Sequence, residues 1–139
     1  MINVDTAKNA FMFHCHVQPV DLTQEDRVLF RLDIHPELLN PMGVVHGGAL
    51  YSLADNTAGY AAHADGRHHV TQTSSFHFLR NQRSGSIFAT GRVVHRGHTT
   101  SLIAVEITGE DGTLLATGEF TFFCITPDKA AASAPERQS

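Results

Sequence analysis

Only one stretch of this sequence carries helical periodicity, and its apolar residues are unusually small. From about His46 to His63, the residues Leu50, Leu53, Ala54, Thr57, Ala58 and Ala61 recur at three- and four-residue intervals. That spacing puts them on one stripe of a helix. Ala49, Ala54, Ala58, Gly59, Ala61 and Ala62 dominate the segment, so a second layer can approach it closely. Gly59 inside a helix costs up to ~1 kcal/mol against alanine, which asks for a reason in packing or access. A lone helix with one apolar stripe must bury it against something else, and the rest of the chain is patterned as strand.

Phe11 to Val20 and Arg27 to Ile34 alternate in short runs about the polar turn Asp21–Asp26, and read as two strands of a hairpin. Pro36 and Asn40-Pro41-Met42-Gly43 then break the chain. Beyond Ala64-Asp65-Gly66 four strands are expected, at His69–Leu79, Ser86–Val94, Thr99–Thr108 and Leu114–Ile125. Asp111-Gly112 between the last two is a strong hairpin signal. Two strands, one helix and four strands by meander predict an α+β domain. An antiparallel sheet of about five to six strands would pack on the single helix.

The chain has 139 residues, 42% hydrophobic and 17% charged, which suits one folded domain over 11–126 and excludes disorder throughout. Residues 1–10 are weakly patterned, an arm or short helix, and 127–139 lack any large apolar residue, as a tail does. A net charge of -4 offers no footprint for nucleic acid. No apolar run spans a membrane, and the first residues do not form a signal peptide. Cys15 and Cys124 stand far apart, which suits a reduced cytoplasm, though the two could still form one bridge. Among ten histidines, His14-x-His16 and His63 with His68-His69 could approach a metal, but no His-Glu-x-x-His or Cys-x-x-Cys occurs, so no metal site is expected. Gly-x-Gly-x-x-Gly, Walker and Gly-x-Ser-x-Gly patterns are also missing.

What remains is the helix entrance, Asn40-Pro41-Met42-Gly43-Val44-Val45-His46-Gly47-Gly48, and Asp55 within the helix. Paired glycines there let a ligand oxygen reach main-chain N–H groups that lack an intrahelical acceptor. Such donors can stabilise the oxyanion of acyl transfer, although a tight turn needing glycine accounts for the pair as well. Asp55 is a poor helix former among small apolar neighbours and is either solvated or functional. Seven residues separate it from Gly48, ~10 Å along the axis at a rise of ~1.5 Å per residue. If both serve one active site, the aspartate comes from a second copy of the chain.

The segment Leu39–Gly48 with Asp55 nine positions after His46 resembles the signature of hotdog-fold acyl-CoA thioesterases of the phenylacetate-degradation (PaaI-like) type. Ser75–Asn81 and Gly91–Gly97 are also similar to that family, and the likeness runs from about Asp21 to Ile125. The resemblance implies a hotdog fold and hydrolysis of an aryl or medium-chain acyl-CoA to free acid and CoA. It makes Gly47 the oxyanion donor, with Asn40 and His46 as polar helpers. Asp55 of the opposite subunit becomes the general base or nucleophile. Thr71, followed closely by Thr73, Ser74 and Ser75, falls where some relatives carry a water-holding serine.

Gly48, Arg80, Arg96 and His98 are the positions for the CoA moiety, since phosphates need cations. Many relatives have arginines directly after the glycine matching Gly97, whereas here His98-Thr99-Thr100 follows. The family implies a homodimer, often a dimer of dimers, and no cofactor. A non-catalytic acyl-CoA or small-ligand binding protein and a hydratase or dehydratase are the rival readings. Thiol release from acyl-CoA separates the first, and loss of enoyl-CoA absorbance the second.

Overall fold

The computed structural model describes residues 9–126. Most of the expected arm at 1–10 and all of the expected tail at 127–139 lie outside the described residues. The elements in chain order are α1 (Ala10–His14), β1 (Val17–Asp21), β2 (Arg27–Asp33), a short 3-10 turn at Pro36–Leu38, α2 (Gly47–His63), β3 (His69–Phe78), β4 (Ser86–Arg96), β5 (Thr100–Thr108) and β6 (Leu114–Cys124). The six strands form one sheet in the order β1-β2-β4-β5-β6-β3, with every neighbouring pair antiparallel. Against it lies α2, which makes this an α+β fold. No helix among the described residues is long and apolar enough to cross a membrane.

Two expectations need correction. The strand expected from Phe11 begins only at Val17, and α1 takes its first residues. Met12 and Cys15 are the buried positions there, three apart as in a helix turn, while Phe11 and Phe13 stand exposed. The alternation of the two phenylalanines therefore points away from the core. The four-strand meander is also wrong in its first step. Only β4, β5 and β6 follow as a meander; β3 pairs with β6 at the far edge, and β4 pairs with β2.

Side-chain pattern explains that order. The central strands alternate strictly, with Val28, Phe30, Leu32, Ile87, Ala89, Ile103, Val105 and Ile107 all buried toward α2. In β3 nearly every residue after His69 is exposed or half-buried, and Thr71 and Ser74 put hydroxyls on the α2 side. Such a strand loses least at an edge.

The small residues of α2 serve the purpose read from them. Ala49, Leu50, Leu53, Ala54, Thr57, Ala58, Ala61 and Ala62 are buried. The tightest approach is at Gly91 of β4, where an added Cβ would lie 3.0 Å from the Thr57 Cγ2 and 3.1 Å from its carbonyl oxygen. Gly59 is not such a place, because a Cβ there meets only the Phe122 ring edge at 3.9 Å.

Two register breaks re-aim side chains. The pairing of β3 with β6 slips at Gln72 and that of β4 with β5 slips at Val94. A bulge inserts one residue and shifts the alternation. Thr71 and Ser74, three apart, consequently both face α2, and so do Val93 and Arg96.

Candidate functional site

The entrance of α2 is built by a tight hairpin. Leu39 bridges Val45, and the Asn40 N–H donates to the Val44 carbonyl at 2.8 Å. Asn40 Oδ1 accepts the amides of Met42 (2.9 Å) and Val44 (3.3 Å), and Gly43 closes the turn at φ +78°. His46 follows in an extended conformation, and its Nδ1 accepts the Gly48 N–H at 2.8 Å. With Nδ1 an acceptor, the neutral ring carries its proton on Nε2.

This cap separates the two glycines. The Gly48 amide is satisfied by His46, while the Gly47 N–H has no acceptor among the described residues. Gly47 is therefore the open donor, at the positive end of a 17-residue helix. A Cβ at Gly48 would press on His46 Nδ1 at 3.1 Å, so that glycine keeps the cap in place.

Gly47, Tyr51 and Asp55 follow one another at four-residue steps along the α2 face that looks at β3. The Thr71 hydroxyl donates to Asp55 Oδ1 at 2.7 Å. Tyr51 Oη and Ser74 Oγ share a hydrogen bond of 2.6 Å. The Phe78 ring lies 3.5 Å from where a Gly47 Cβ would be. The bulge at Gln72 matches strand to helix here, because without it Thr71 and Ser74 would face opposite sides. Eight residues part Gly47 from Asp55, ~12 Å along the axis, so within one chain the open amide and the carboxylate do not meet.

The expected cations are not gathered together. Arg80 is exposed just beyond β3, near the Gly47 end, and its guanidinium has no partner among the described residues. Arg96 lies at the other end of α2, where it donates to the carbonyls of Ala61 and Ala62, both at 2.9 Å, and pairs with Asp65 at 2.8 Å. It therefore closes the helix C-terminus instead of standing free. His98 is exposed, with its carbonyl held by Arg67 at 2.7 Å.

Residues 42–116 match the thioesterase superfamily. The chain belongs to that superfamily.

The acyl-coenzyme A thioesterase PaaI of Escherichia coli K12 is 32% identical to this thioesterase-family chain over 80 residues, 57% of each sequence. Its solved structure, described as PaaI from the phenylacetic acid degradation operon, covers 86% of this chain and 88% of its own at a TM-score of 0.82 and 25% identity. A hypothetical thioesterase of Streptococcus pneumoniae TIGR4, solved with coenzyme A, has a TM-score of 0.79 at 25% identity, covering 86% of this chain and 96% of its own. A conserved protein of Pseudomonas aeruginosa, PA5202, reaches 31% identity and a TM-score of 0.79 over 84% of this chain and 94% of its own. The hotdog fold and the family resemblance read from the sequence both stand.

Two features of this thioesterase-family chain were not foreseen. Asp65 binds Arg67 at 2.7 Å and His69 at 3.1 Å as well as Arg96. Burial alone would raise the Asp65 carboxyl, but the Arg67 and His69 hydrogen bonds and the Arg96 charge hold it well below the usual carboxylate range. Burial pushes His69 down despite Asp65. His63 is clamped at both ring nitrogens, by the Gly59 carbonyl and the His69 amide, and so offers no metal ligand.

Among the described residues one other group could converge on a cation, His16, His35 and Glu37. The His16 and His35 rings stack at 3.5 Å, and Glu37 already bonds His16 at 2.8 Å. None of these three lies on α2 or β3. The Tyr51–Ser74 pair was also missed, although Tyr51 stands midway between Gly47 and Asp55 in the sequence.

Proposed function

We propose that the chain hydrolyses acyl-CoA thioesters, with aryl or medium-chain acyl groups, to free acid and CoA in a site shared by two copies. The observation that carries this reading is an unspent Gly47 amide and a hydroxyl-held Asp55 on one and the same face of α2. Similarity to PaaI and to a neighbour solved with coenzyme A supports it.

The free edge of β3 supplies the means of assembly. It is ten residues long and mostly exposed, a ready template for another strand. If β3 pairs antiparallel with its own copy, the two α2 helices also run antiparallel. Gly47 then lies opposite the partner's Asp55, and the ~12 Å gap within one chain no longer matters. Two such dimers assemble further into a tetramer.

In this arrangement the thioester carbonyl oxygen accepts the Gly47 N–H, with the His46 Nε2–H and the Asn40 amide as additional donors. Charge developing on that oxygen is stabilised by a fixed amide at a helix N-terminus. The partner's Asp55, oriented by its Thr71, takes a proton from water as the water oxygen attacks the carbonyl carbon. Alternatively the carboxylate attacks directly, and water cleaves the resulting anhydride. In either route the C–S bond breaks and CoA leaves as thiolate. Neither route calls on a metal or cofactor. Arg80 near the Gly47 end and the exposed His98 near the other end of α2 are the side chains open to the CoA phosphates, with Gly48 beside the first and Arg96 beside the second.

The test is a free-thiol assay over a panel of acyl-CoAs. Asp55→Asn, nearly isosteric, is expected to lower turnover about 10²–10⁴-fold while leaving the thermal transition in place. Wild-type rates in that variant would remove Asp55 from the chemistry. Saturable binding without thiol release by the wild type would make the protein a binder only.

A further inference from the structure

We propose that Tyr51, held across to β3 by Ser74, ends the acyl groove and so restricts this site to compact acyl groups. The proposal rests on the thioester-hydrolysis reading and narrows its acyl class to aryl and shorter groups, leaving out the longer medium chains. Tyr51 is one helical turn past Gly47, and its hydroxyl reaches Ser74 Oγ at 2.6 Å, bridging α2 to β3. Its ring is wedged edge-on to Phe76 with centroids 5.5 Å apart and tilted against Phe120 at 5.6 Å. A ring fixed on three sides is a wall and not a swinging flap. Tyr51 is nonetheless 36% exposed, so it is not sealed in the core.

Position makes that wall a stop. With an acyl carbonyl seated on the Gly47 amide, a tail that follows the exposed seam of α2 and β3 runs past the Phe78 ring. After ~6 Å, the rise of four helical residues, it meets Tyr51. The twofold relation that sets Gly47 opposite the partner's Asp55 must pass through the midpoint of the pair, which on α2 is residue 51. On β3 the midpoint between Thr71 and Phe78 falls beside Ser74. Each site is therefore closed by its own Tyr51–Ser74 bridge backed by the partner's. A short or flat aromatic acyl group fits the span. A long flexible chain has to displace the tyrosine and leave two hydroxyls unpaired.

The experiment compares kcat/KM for a short, an aryl and a twelve-carbon or longer acyl-CoA in wild type, Tyr51→Ala, Tyr51→Phe and Ser74→Ala. Wild type is expected to favour the compact substrates. Tyr51→Ala should raise the long-to-short ratio about tenfold or more, within the range a few methylenes command in a pocket. Ser74→Ala, an exposed change that leaves the core intact, should move the ratio the same way by less, and Tyr51→Phe should resemble it because the ring remains. Loss of thermal stability with no change in the ratio would mark Tyr51 as packing only and overturn the proposal. If Tyr51→Ala does not fold, an unchanged ratio in Ser74→Ala overturns it. A wild type that hydrolyses none of the panel removes the thioesterase reading itself, an outcome distinct from an active enzyme whose acyl preference ignores Tyr51.

Discussion

A single unspent amide is the smallest unit of this site. Gly47 occupies the first turn of α2, where a proline ring is well tolerated and its lack of an N–H breaks no intrahelical bond. His46 before it is already extended, at ψ 137°, the conformation a following proline favours. Gly47→Pro therefore deletes the proposed oxyanion donor with little else. Thermal unfolding is expected within a few degrees of wild type, and kcat about 10²–10³-fold lower, the usual effect of losing one such donor. Undiminished kcat in a folded Gly47→Pro protein would put the oxyanion elsewhere. The two adjacent glycines were legible as a helix entrance, and the family resemblance singled out Gly47 as the donor, but what spends the Gly48 amide was not legible. It depends on the His46 rotamer, which no spacing encodes. Asn40 likewise read as a polar helper, and its Oδ1 turns out to build the turn.

Elements are placed by which side chains they can afford to expose. The alternation of β2, β4, β5 and β6 was readable because each has one apolar face, and so was α2 from its small-residue stripe. The far-edge position of β3 and the bulges at Gln72 and Val94 were not, since register depends on partners across the sheet. The second bulge turns Arg96 into the helix end, where it joins the cluster around Asp65, a carboxylate only 8% exposed beside an equally covered Arg67.

Removing that charge takes the shared carboxylate from Arg67, Arg96 and His69 at once, so Asp65→Asn should lower unfolding free energy at pH 7 by about 3 kcal/mol. The Asp65 carboxyl is depressed in the folded state, so its contribution is fully present above the unfolded value near ~3.9 and is lost as pH falls toward the folded one. His69 is also depressed, so the neutral ring favours folding above ~6.5 and stability declines as pH drops below that. The gap in denaturant midpoint between wild type and variant, at fixed protein concentration, should be widest at pH 7 and narrower at pH 3, where the unfolded carboxyl is mostly protonated while the folded one is still ionised. An equal gap at both would deny the carboxylate its role.

At the scale of the assembly, the ~12 Å between Gly47 and Asp55 calls for two chains if both groups serve one site, as proposed. The distance was legible in the sequence from helix rise alone, and the strand edge able to satisfy it was not, because only the sheet order puts β3 outermost. Complementation isolates this point from every effect on folding. A Gly47→Pro chain keeps its aspartate, and an Asp55→Asn chain keeps its amide. In a mixed dimer one site inherits both lesions, while the other joins an intact amide to an intact carboxylate. Each variant alone is expected to be nearly inactive. Co-refolded in equal amounts, random pairing makes half the dimers mixed, and thiol release should return to about a quarter of the wild-type rate. Recovery should track the fraction of mixed dimers resolved by a charge tag. Because a site contained in one polypeptide can never be repaired by a neighbour carrying the other lesion, no recovery in demonstrably mixed dimers would return both groups to a single chain.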